Sequence, residues 1–260
     1  MLNADPAAAL RSRHEFNLQQ ALARKIVRTK ELATHLGVHE MTVRRDLDLL
    51  SEQGLLERVH GGARLQSKAN DEVAYSLRIN EHLEAKSGIA HKALELIQDG
   101  DTIALDASTT TLQLAHLLGG RTVNTIVSSL DAATILAGLN LPFTLTGGEF
   151  HARARSFVGA HATGTLKRLH PDKVFFSSKG FSIQTGFTDA HLPETEMKEQ
   201  LIRSGRFIVA LLDHTKFSRV ALHTIVEMDA VDVVITDLEP DLETKEAFEA
   251  ADIRLIVAGV

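Results

Sequence analysis

The feature that most constrains this chain is a regular alternation of two kinds of segment over residues 86–260. Short runs rich in Val, Ile, Leu and Phe alternate with runs in which apolar residues recur at helical spacing. This alternation is typical of a parallel sheet covered by helices on both faces. We therefore predict a Rossmann-like, mostly parallel α/β domain. Strands are expected at 102–106, 122–127, 142–146, 173–177, 207–212, 231–236 and 253–258, and helices at 86–98, 109–118, 130–138, 193–204 and 243–251.

The first part of the chain has a different pattern, which predicts three helices. Residues 14–24 carry apolar side chains at helical spacing. TKELATHLG predicts a second helix, with Thr29 as its N-cap and Gly37 at its end, since glycine adopts the left-handed conformation without steric cost. A third helix is expected from about Glu40 to Gln53. Its buried face is predicted to consist of Val43, Leu47 and Leu50.

A short β element is expected after the third helix. The segment LLERVHGGARL combines strand-forming residues with a Gly-Gly turn, which indicates a small wing. Three helices followed by a wing make up a winged helix-turn-helix, which we place at 12–67. Residues 68–85 are polar and are interpreted as a linker. The α/β domain then occupies 86–260.

The third helix carries two adjacent arginines, Arg44 and Arg45. A helix-turn-helix places the N-terminal residues of this helix in the major groove, where arginine binds guanine edges or phosphate. An isolated arginine pair is often only solvated surface, but here it occurs within a complete winged-helix pattern. Asp46 is expected to pair with one of these arginines, because phosphate repels a carboxylate. The predicted DNA-binding residues are His39, Glu40, Met41, Thr42, Arg44, Arg45, Arg58, His60 and Arg64.

The charge distribution agrees with two domains that have different partners. Between Arg11 and Lys68 there are eleven Lys and Arg against seven Asp and Glu, a balance of +4; since the whole chain has a net charge of −6, the remainder carries −10. The absence of cysteine excludes disulfides and thiolate metal sites. No apolar run approaches the ~18 residues of a membrane helix, and no signal peptide is evident. We expect a cytoplasmic protein that is associated with the nucleoid when bound to DNA.

Polar residues follow five of the predicted strands, at the edge of the sheet where parallel α/β folds bind ligands. DASTTT is the best anion site, because it ends a strand and begins a helix whose free amides favour negative charge. Ser108 or Thr109 is also expected to cap this helix. The predicted effector-binding residues are Asp106, Ser108, Thr109, Thr110, Thr111, Ser128, Gly147, Gly148, Lys179, Asp213 and Lys216.

Some of these residues have alternative interpretations. Lys179 and Lys216 are suitable counter-charges for a phosphate, although either could be a solvated loop lysine. Asp106 could contact sugar hydroxyls or bond to loop amides. Glu196, in ETEMKEQ, is a further candidate for the pocket, and it does not pair simply with Lys198 because i and i+2 face different directions on a helix.

Several motifs together resemble the DeoR family of bacterial transcriptional regulators. LATHLGVHEMTVRRDLDLLSEQGLLERVHGGA is similar to the family signature, and EAKSGIAHKALELIQDGDTIALDASTTTLQLAHLL, TGGEF, LLDHTKFSR and ITD continue the likeness. The resemblance implies an N-terminal DNA-binding domain and a C-terminal domain that senses a small, usually phosphorylated, sugar metabolite. DHTK matches the family's Asp-x-Ser/Thr-Lys pattern. His39 stands where the family usually has serine, and many members have no lysine at the position of Lys179.

Two other function classes compete with a sensor. The second domain resembles the fold group of ribose-5-phosphate isomerase, so an isomerase-like enzyme with a DNA-binding domain is the alternative. Its candidate carboxylates are Asp106, Asp189, Glu194 and Asp213. A body that only oligomerises is a third hypothesis, but it would not need a threonine cluster beside lysines. The chain lacks GxxxxGK[ST], GxSxG and GxGxxG motifs, which gives no support to nucleotide hydrolysis, acyl transfer or dinucleotide binding.

The sequence thus predicts a DNA-binding transcriptional regulator, a repressor of a sugar catabolism operon. A phosphorylated sugar or related metabolite would release it from double-stranded operator DNA, which it would bind as a homodimer or homotetramer. We expect no catalytic residues, no metal ion, no cofactor and no membrane partner.

Overall fold

The computed structural model describes residues 6–66 and 70–259 and divides into two units, with the boundary between Glu81 and His82. The helices are α1 (Pro6–Arg24), α2 (Thr29–Leu36), α3 (Glu40–Glu52), α4 (Asn70–Asn80), α5 (Leu83–Glu95), α6 (Thr109–His116), α7 (Leu130–Gly138), α8 (Ala160–Leu166), α9 (Leu192–Ser204) and α10 (Leu242–Ala250). None of the helices in the described ranges is both long enough and apolar enough to cross a lipid bilayer.

The strands of the first unit are β1 (Ile26–Arg28), β2 (Leu56–Val59) and β3 (Gly62–Leu65). Those of the second unit are β4 (Thr102–Leu105), β5 (Asn124–Val127), β6 (Phe143–Leu145), β7 (Glu149–His151), β8 (Ser156–Val158), β9 (Lys173–Phe176), β10 (Gly180–Ser182), β11 (Gly186–Asp189), β12 (Phe207–Leu212), β13 (His223–Val226), β14 (Val233–Thr236) and β15 (Arg254–Val257).

The first three helices of the front unit follow the predicted pattern. α3 buries Val43, Leu47 and Leu50, so its predicted core face is confirmed. Gly37 takes the left-handed conformation with φ 63° and ends α2, also as predicted. Thr29 does not cap α2: it is the first helical residue and is buried, because β1 carries the chain in an extended form as far as Arg28.

A small antiparallel sheet with the order β1-β3-β2 completes the winged fold. β2 and β3 form the predicted hairpin, and β1 was not predicted. The Gly-Gly turn is required by geometry, since Gly61 has φ 74° and a Cβ on Gly62 would lie 1.9 Å from the carbonyl oxygen of Val27. The wing is therefore held against the strand that precedes α2.

Part of the predicted linker at 68–85 is helical. Residues 67–69 lie outside the described residues, but 70–80 form α4, which packs on α1. Val73 belongs to the core of the front unit, and Leu77 packs against it. The front unit is thus longer than the predicted 12–67 at both ends, since α1 begins at Pro6. Apolar residues at helical spacing within a polar segment explain why α4 folds onto this unit.

The second unit is built on the predicted parallel sheet. Its seven strands have the order β15-β14-β12-β9-β4-β5-β6, and every neighbouring pair is parallel. Observed and predicted bounds differ by at most two residues for these strands. The predicted α/β architecture is therefore confirmed.

Alternate residues along the strands face opposite layers of helices. Ala104, Val174 and Ala210 share a core cluster with residues of α8, α9 and α10. α5 and α6 pack on strands of the sheet, and α6 also packs on α5 and α7. Because both faces are covered, the inner strands β4, β9, β12 and β14 are buried almost completely, as the runs of Val, Ile, Leu and Phe predict, whereas the edge strands β6 and β15 are partly exposed.

Two antiparallel elements of this unit were not predicted. β7 and β8 form a hairpin, and β10, β11 and β13 form a separate three-stranded sheet. Phe181 and Phe187 of the three-stranded sheet contact each other at a ring distance of 4.9 Å, and Phe187 contacts Phe176 at 5.3 Å. These aromatic contacts attach the small sheet to the large one.

Candidate functional site

The N-terminus of α3 exposes most of the predicted DNA-binding residues. Met41, Arg44 and Arg45 are exposed, while Glu40 and Thr42 are half-buried. His39 caps the helix, because its Nδ1 accepts a hydrogen bond from the amide of Met41 at 3.2 Å. The imidazole therefore replaces the hydroxyl that the resemblance led us to expect at this position. A groove of about 560 Å³ runs along this corner and is lined by Lys30, Ala33, Thr34, Gly37, Val38, His39, Glu40, Met41 and Arg44.

The side chains of Arg44 and Arg45 make no hydrogen bond or ion pair with other residues in the described part of the chain. Their helix is nevertheless held firmly, since Val43 and Leu47 on its other face are fully buried. Two cationic side chains therefore extend from a fixed helix into solvent. This arrangement is suited to the edges of bases or to phosphate.

Asp46 does not pair with Arg44 or Arg45, as the sequence led us to expect. It is buried, and Arg13 of α1 donates two hydrogen bonds to it, from Nε to Oδ2 at 2.8 Å and from Nη2 to Oδ1 at 3.1 Å. His14 lies beside the same carboxylate at 3.4 Å. The hydrogen-bonded carboxylate raises the pKa of Arg13. Asp46 faces inwards because it lies one turn before Leu50, on the core side of α3.

The predicted wing residues are already engaged in contacts within the front unit. Arg64 donates hydrogen bonds to both carboxylate oxygens of Glu57, and Arg58 lies 2.9 Å from Asp48 and donates to the carbonyl of Gly62 at 2.9 Å. His60 is exposed. DNA phosphate would therefore compete with Glu57 and Asp48 for these arginines, whereas Arg44 and Arg45 need not break any contact.

A second basic surface was missed at the sequence level. A cavity of about 620 Å³ is lined by Arg24, Arg28, Lys30, Glu31, Thr34, His35 and Gly61. Arg28 donates to the carbonyl of His60 at 2.7 Å, which connects the start of α2 to the wing turn. In helix-turn-helix proteins the helix before the recognition helix crosses the DNA backbone. Arg24, Arg28 and Lys30, which lie shortly before or within the first turn of α2, were the sequence feature that could have indicated this surface.

In the second unit, polar residues follow the strands along one edge of the parallel sheet. Asp106 follows β4, Ser128 follows β5, Ser177 follows β9, Asp213 follows β12 and Asp237 follows β14. All five are buried. Because the strands are parallel, these residues lie on the same edge, at the carboxyl ends where ligands bind in such folds.

The DASTTT loop is organised around the carboxylate of Asp106. Oδ1 accepts from the amide of Ser108 at 3.0 Å and from the hydroxyl of Thr111 at 2.8 Å, and Oδ2 accepts from the amide of Ser177 at 3.1 Å. Ser108 caps α6 by accepting from the amide of Thr111 at 3.2 Å. Asp106, Ser108 and Thr111 thus hold the loop together, which confirms capping by Ser108.

Thr109 and Thr110 differ from the rest of this loop. Their amides begin α6 and donate to no acceptor within the described residues. Thr110 is buried, whereas Thr109 is half-exposed. Free amides at the positive end of a helix favour an anion, and Thr109 is the better placed of the two side chains to reach one.

A buried cluster of charges lies next to this loop. The ammonium of Lys198 in α9 donates to Asp189 Oδ2 at 2.6 Å and to the carbonyl of Ser177 at 2.8 Å, and it lies 3.5 Å from Asp106 Oδ2. Burial would lower the pKa of Lys198, but the charges of Asp189 and Asp106 raise it instead. Burial would raise the pKa of Asp189, yet the charge and hydrogen bond of Lys198, with help from Lys179, lower it. Lys198 and Asp189 are therefore charged at neutral pH.

Asp213 and Lys216 form a second polar cluster at the end of β12. The amide and hydroxyl of Thr215 donate to Asp213 Oδ1, and Lys216 Nζ lies 3.3 Å from Asp213 Oδ2. Burial would raise the pKa of Asp213, but the hydrogen bond from Thr215 and the charge of Lys216 lower it. The two predicted residues are therefore brought together.

The other predicted residues are placed less directly. Ser128 is buried and its carbonyl accepts from the amide of Phe157 at 2.7 Å. Gly148 has a packing role, since a Cβ would lie 2.4 Å from the carbonyl oxygen of Val158, while Gly147 faces open space. Lys179 is exposed, and its charge acts on Asp189.

Sequence reasoning missed several residues of this edge. Glu196 does not enter it, because this side chain is exposed; Glu194 is buried instead and accepts from the hydroxyl of Ser156 and from His151. Lys198 could have been found from its spacing, since it lies one turn before the buried Leu201 and Ile202. Lys198, His214 and Asp237 were not predicted from the sequence as ligand-binding residues, and Asp189 and Glu194 were considered only as candidate carboxylates of an isomerase.

Comparison with known families matches both units. The model of the DeoR-like helix-turn-helix domain matches residues 13–69, and the model of the DeoR C terminal sensor domain matches residues 81–238. The chain is 34% identical over 230 residues to the HTH-type transcriptional regulator GolR of Listeria innocua, covering 88% of this chain and 91% of GolR. It is 31% identical over 232 residues to the HTH-type transcriptional repressor GlcR of Bacillus subtilis, covering 89% and 90%.

A further relative is the lactose phosphotransferase system repressor of Staphylococcus epidermidis, 33% identical over 228 residues, with 86% of this chain and 90% of that protein covered. Among solved structures, ribose 5-phosphate isomerase A from Methanocaldococcus jannaschii is 18% identical with a TM-score of 0.40, covering 52% of this chain and 54% of that one. The tetrameric eIF2B-beta2-delta2 complex from C. thermophilum is 16% identical with a TM-score of 0.47, covering 96% and 90%.

Proposed function

This chain belongs to the DeoR family of transcriptional regulators, and from that premise we propose that it represses a sugar catabolism operon. It binds operator DNA as a dimer or tetramer, with α3 in the major groove. A phosphorylated sugar or related metabolite binds at the carboxyl edge of the parallel sheet and releases the protein from DNA. Release requires that the metabolite favours a conformation with lower affinity for the operator.

The single observation that supports the DNA-binding role most directly is that the side chains of Arg44 and Arg45 are exposed and unpaired in the described part of the chain. Both lie on a helix whose opposite face is buried. Arg24, Arg28 and Lys30 supply a second group of cations for the phosphate backbone. Base reading is thus assigned to α3, and positioning on phosphate to the start of α2 and the wing.

The DNA-binding role is tested by selecting bound sequences from a random duplex library and measuring affinity by fluorescence anisotropy. We expect enrichment of a repeated or palindromic site, because an oligomer places two recognition helices on one duplex. Binding without any sequence enrichment would refute the role as an operator-specific regulator.

The effector role is supported by the arrangement at the sheet edge. The free amides of Thr109 and Thr110 at the start of α6 favour an anion, and Lys216 and Lys179 supply positive charge nearby along the same edge. Asp213 follows β12 on the same edge, and a carboxylate is the kind of group that accepts hydrogen bonds from sugar hydroxyls. A phosphorylated sugar satisfies both kinds of group.

A sensor fits this edge better than an isomerase does. An isomerase needs a carboxylate that is able to reach a C–H bond of the substrate. Asp106 accepts hydrogen bonds on both oxygens, and Asp189 accepts from Lys198 on one oxygen and from the amide of Ala190 on the other. These two carboxylates are buried and already bonded, which supports a role in holding the site.

The effector role is tested by screening pentose and hexose phosphates, each beside the same sugar without phosphate, for thermal shift and for operator release. We expect one phosphorylated compound to raise the melting temperature and to release DNA. Conversion of ribose 5-phosphate to a ketose phosphate would favour the enzyme instead. If none of the compounds produces a thermal shift, the second unit would serve only for oligomerisation.

A further inference from the structure

His214 and Asp237 form an oriented pair at the ends of two neighbouring strands. Asp237 follows β14 and is 1% exposed. Its Oδ1 accepts from the backbone amide of His214 at 2.6 Å, and its Oδ2 lies 2.6 Å from ring Nδ1 of the same residue. Because a carboxylate offers only acceptors, this contact places the hydrogen on Nδ1. The other ring nitrogen, Nε2, is then the one that is left for another partner.

The ring of His214 is held in place and yet remains accessible. His82, at the start of α5, contacts it edge to face with ring centroids 5.4 Å apart. The side chain of His214 is nevertheless 42% exposed, in contrast to the buried carboxylate behind it. A purely structural link between the two strand ends needs only the bond from the amide of His214 to Asp237. The second bond, from ring Nδ1 to Oδ2 of Asp237, fixes the orientation of the imidazole, which packing alone does not fix.

The same short turn presents one more group that suits an anionic ligand. Asp213, directly before His214, is fully buried, and Lys216 Nζ lies 3.3 Å from its Oδ2 as an ion-pair partner. The side chain of Lys216 is 21% exposed. Lys216 and His214 are thus both placed to donate to an anionic oxygen.

We propose that His214 binds an anionic oxygen of a phosphomonoester effector through Nε2, and that Asp237 is the positioning residue that orients its ring. This inference rests on the proposed function and extends the effector site from the DASTTT loop to the ends of β12 and β14. An imidazole and an ammonium group on one turn favour a ligand that carries a phosphate.

The test uses the full chain and inorganic phosphate as the probe. Histidine labelled with ¹⁵N is followed by NMR during a phosphate titration, and the His214 signals are identified by their loss in His214→Ala. In the wild type we expect the Nε2 resonance of His214 to move with phosphate, and His214→Ala to weaken phosphate binding about tenfold, the effect of one charge-assisted hydrogen bond. The control His116→Ala, an exposed histidine at the opposite end of α6, should bind phosphate like the wild type.

Asp237→Asn tests the positioning role separately. The amide group would donate to Nδ1 and move the ring hydrogen to Nε2, which changes the ¹⁵N shifts of His214 in the absence of ligand. Asp237→Glu, which restores a carboxylate, should recover the wild-type tautomer at least in part. A wild-type tautomer in Asp237→Asn would overturn the role of Asp237.

The remaining outcomes separate this inference from the proposed function. If phosphate leaves the His214 resonance unmoved, or His214→Ala binds phosphate and responds to the screened effector like the wild type, the inference is wrong and the proposed function stands. If no sugar phosphate shifts or releases the wild-type protein, the proposed function fails and the inference fails with it.

Discussion

Arg13 and Asp46 join the first helix to the recognition helix by two parallel hydrogen bonds, of 2.8 and 3.1 Å. The side chain of Asp46 is 3% exposed and that of Arg13 23%. Arg44 and Arg45 directly precede Asp46, so the contact fixes the turn of α3 from which both arginines extend. Bidentate pairs of this kind constrain geometry as well as contributing energy.

Replacement of Arg13 by Met should destabilise the front unit by about 3 kcal/mol, because it leaves the buried Asp46 carboxylate without its guanidinium partner. The shift of the denaturant midpoint measures this loss. Arg24→Met is the matched control, since Arg24 is 52% exposed and lies 3.4 Å from an exposed Glu31; it should change stability by less than about 0.5 kcal/mol. Equal stability of the two variants would show that the buried pair is not important.

Replacement of Arg44 or Arg45 by Ala should weaken operator binding by about 1–3 kcal/mol if that arginine contacts a base, without loss of stability. Anisotropy with the selected operator gives the affinity, and thermal melting confirms the fold. Arg206→Ala, at an exposed position of the sensor unit, serves as the control. Wild-type affinity in both the Arg44 and the Arg45 variant would show that α3 does not bind in the major groove.

Operator affinity should fall steeply with salt, on the order of tenfold or more between 50 and 200 mM, because cations that bind phosphate release counterions. The slope should become shallower in a variant with Arg28 and Lys30 both changed to Ala, if the start of α2 lies on the backbone. A nearly flat salt dependence of the wild type would mean that these cations are ordinary solvated surface.

Thr109→Asp should abolish the response to effector while operator binding and folding persist. The new charge would lie about 4 Å from the phosphate and repel it by several kcal/mol at an intermediate dielectric, whereas an acid near a helix N-terminus is tolerated. Thr109 is preferred to Thr110, which is buried and would force the new carboxylate into the core. Operator release is measured against effector concentration.

Thr134→Asp, an exposed change within α7, is the control for this variant. Release of Thr109→Asp at the wild-type effector concentration would rule out the α6 loop as the phosphate site. If the carboxylate instead mimics phosphate, operator binding is lost without any ligand in a protein that remains folded.

The sensor unit should lose stability in acid through Asp189. Its folded-state pKa lies below the ordinary 3.8, so its contribution is present above that value and is lost as the pH falls through the lowered pKa. Asp189→Asn should therefore show a weaker dependence of the unfolding free energy on pH below about 4, measured by hydrogen exchange of peptides from residues 82–259. The same slope in variant and wild type would contradict the charged state of the pair.

The local pattern of residues predicted much of the fold. The helical spacing of Val43, Leu47 and Leu50 placed the core face of α3, and runs such as FIVALL placed the strands of the parallel sheet, because burial on one or both faces requires these patterns. α4, α8 and the sheet of β10, β11 and β13 were missed, since short elements gain most of their stability from the unit they pack on.

The sequence by itself determined which residues end each strand, and therefore that Asp106, Asp213 and the DASTTT loop share one edge of the sheet. Only the tertiary structure decided their partners: Asp46 bonds to Arg13, Asp106 lies beside Lys198, and Asp237 orients His214. The physical reason is that a local pattern reports whether a side chain is buried. The partner of a buried charge comes from a distant segment, and its identity depends on how helices and strands pack in three dimensions.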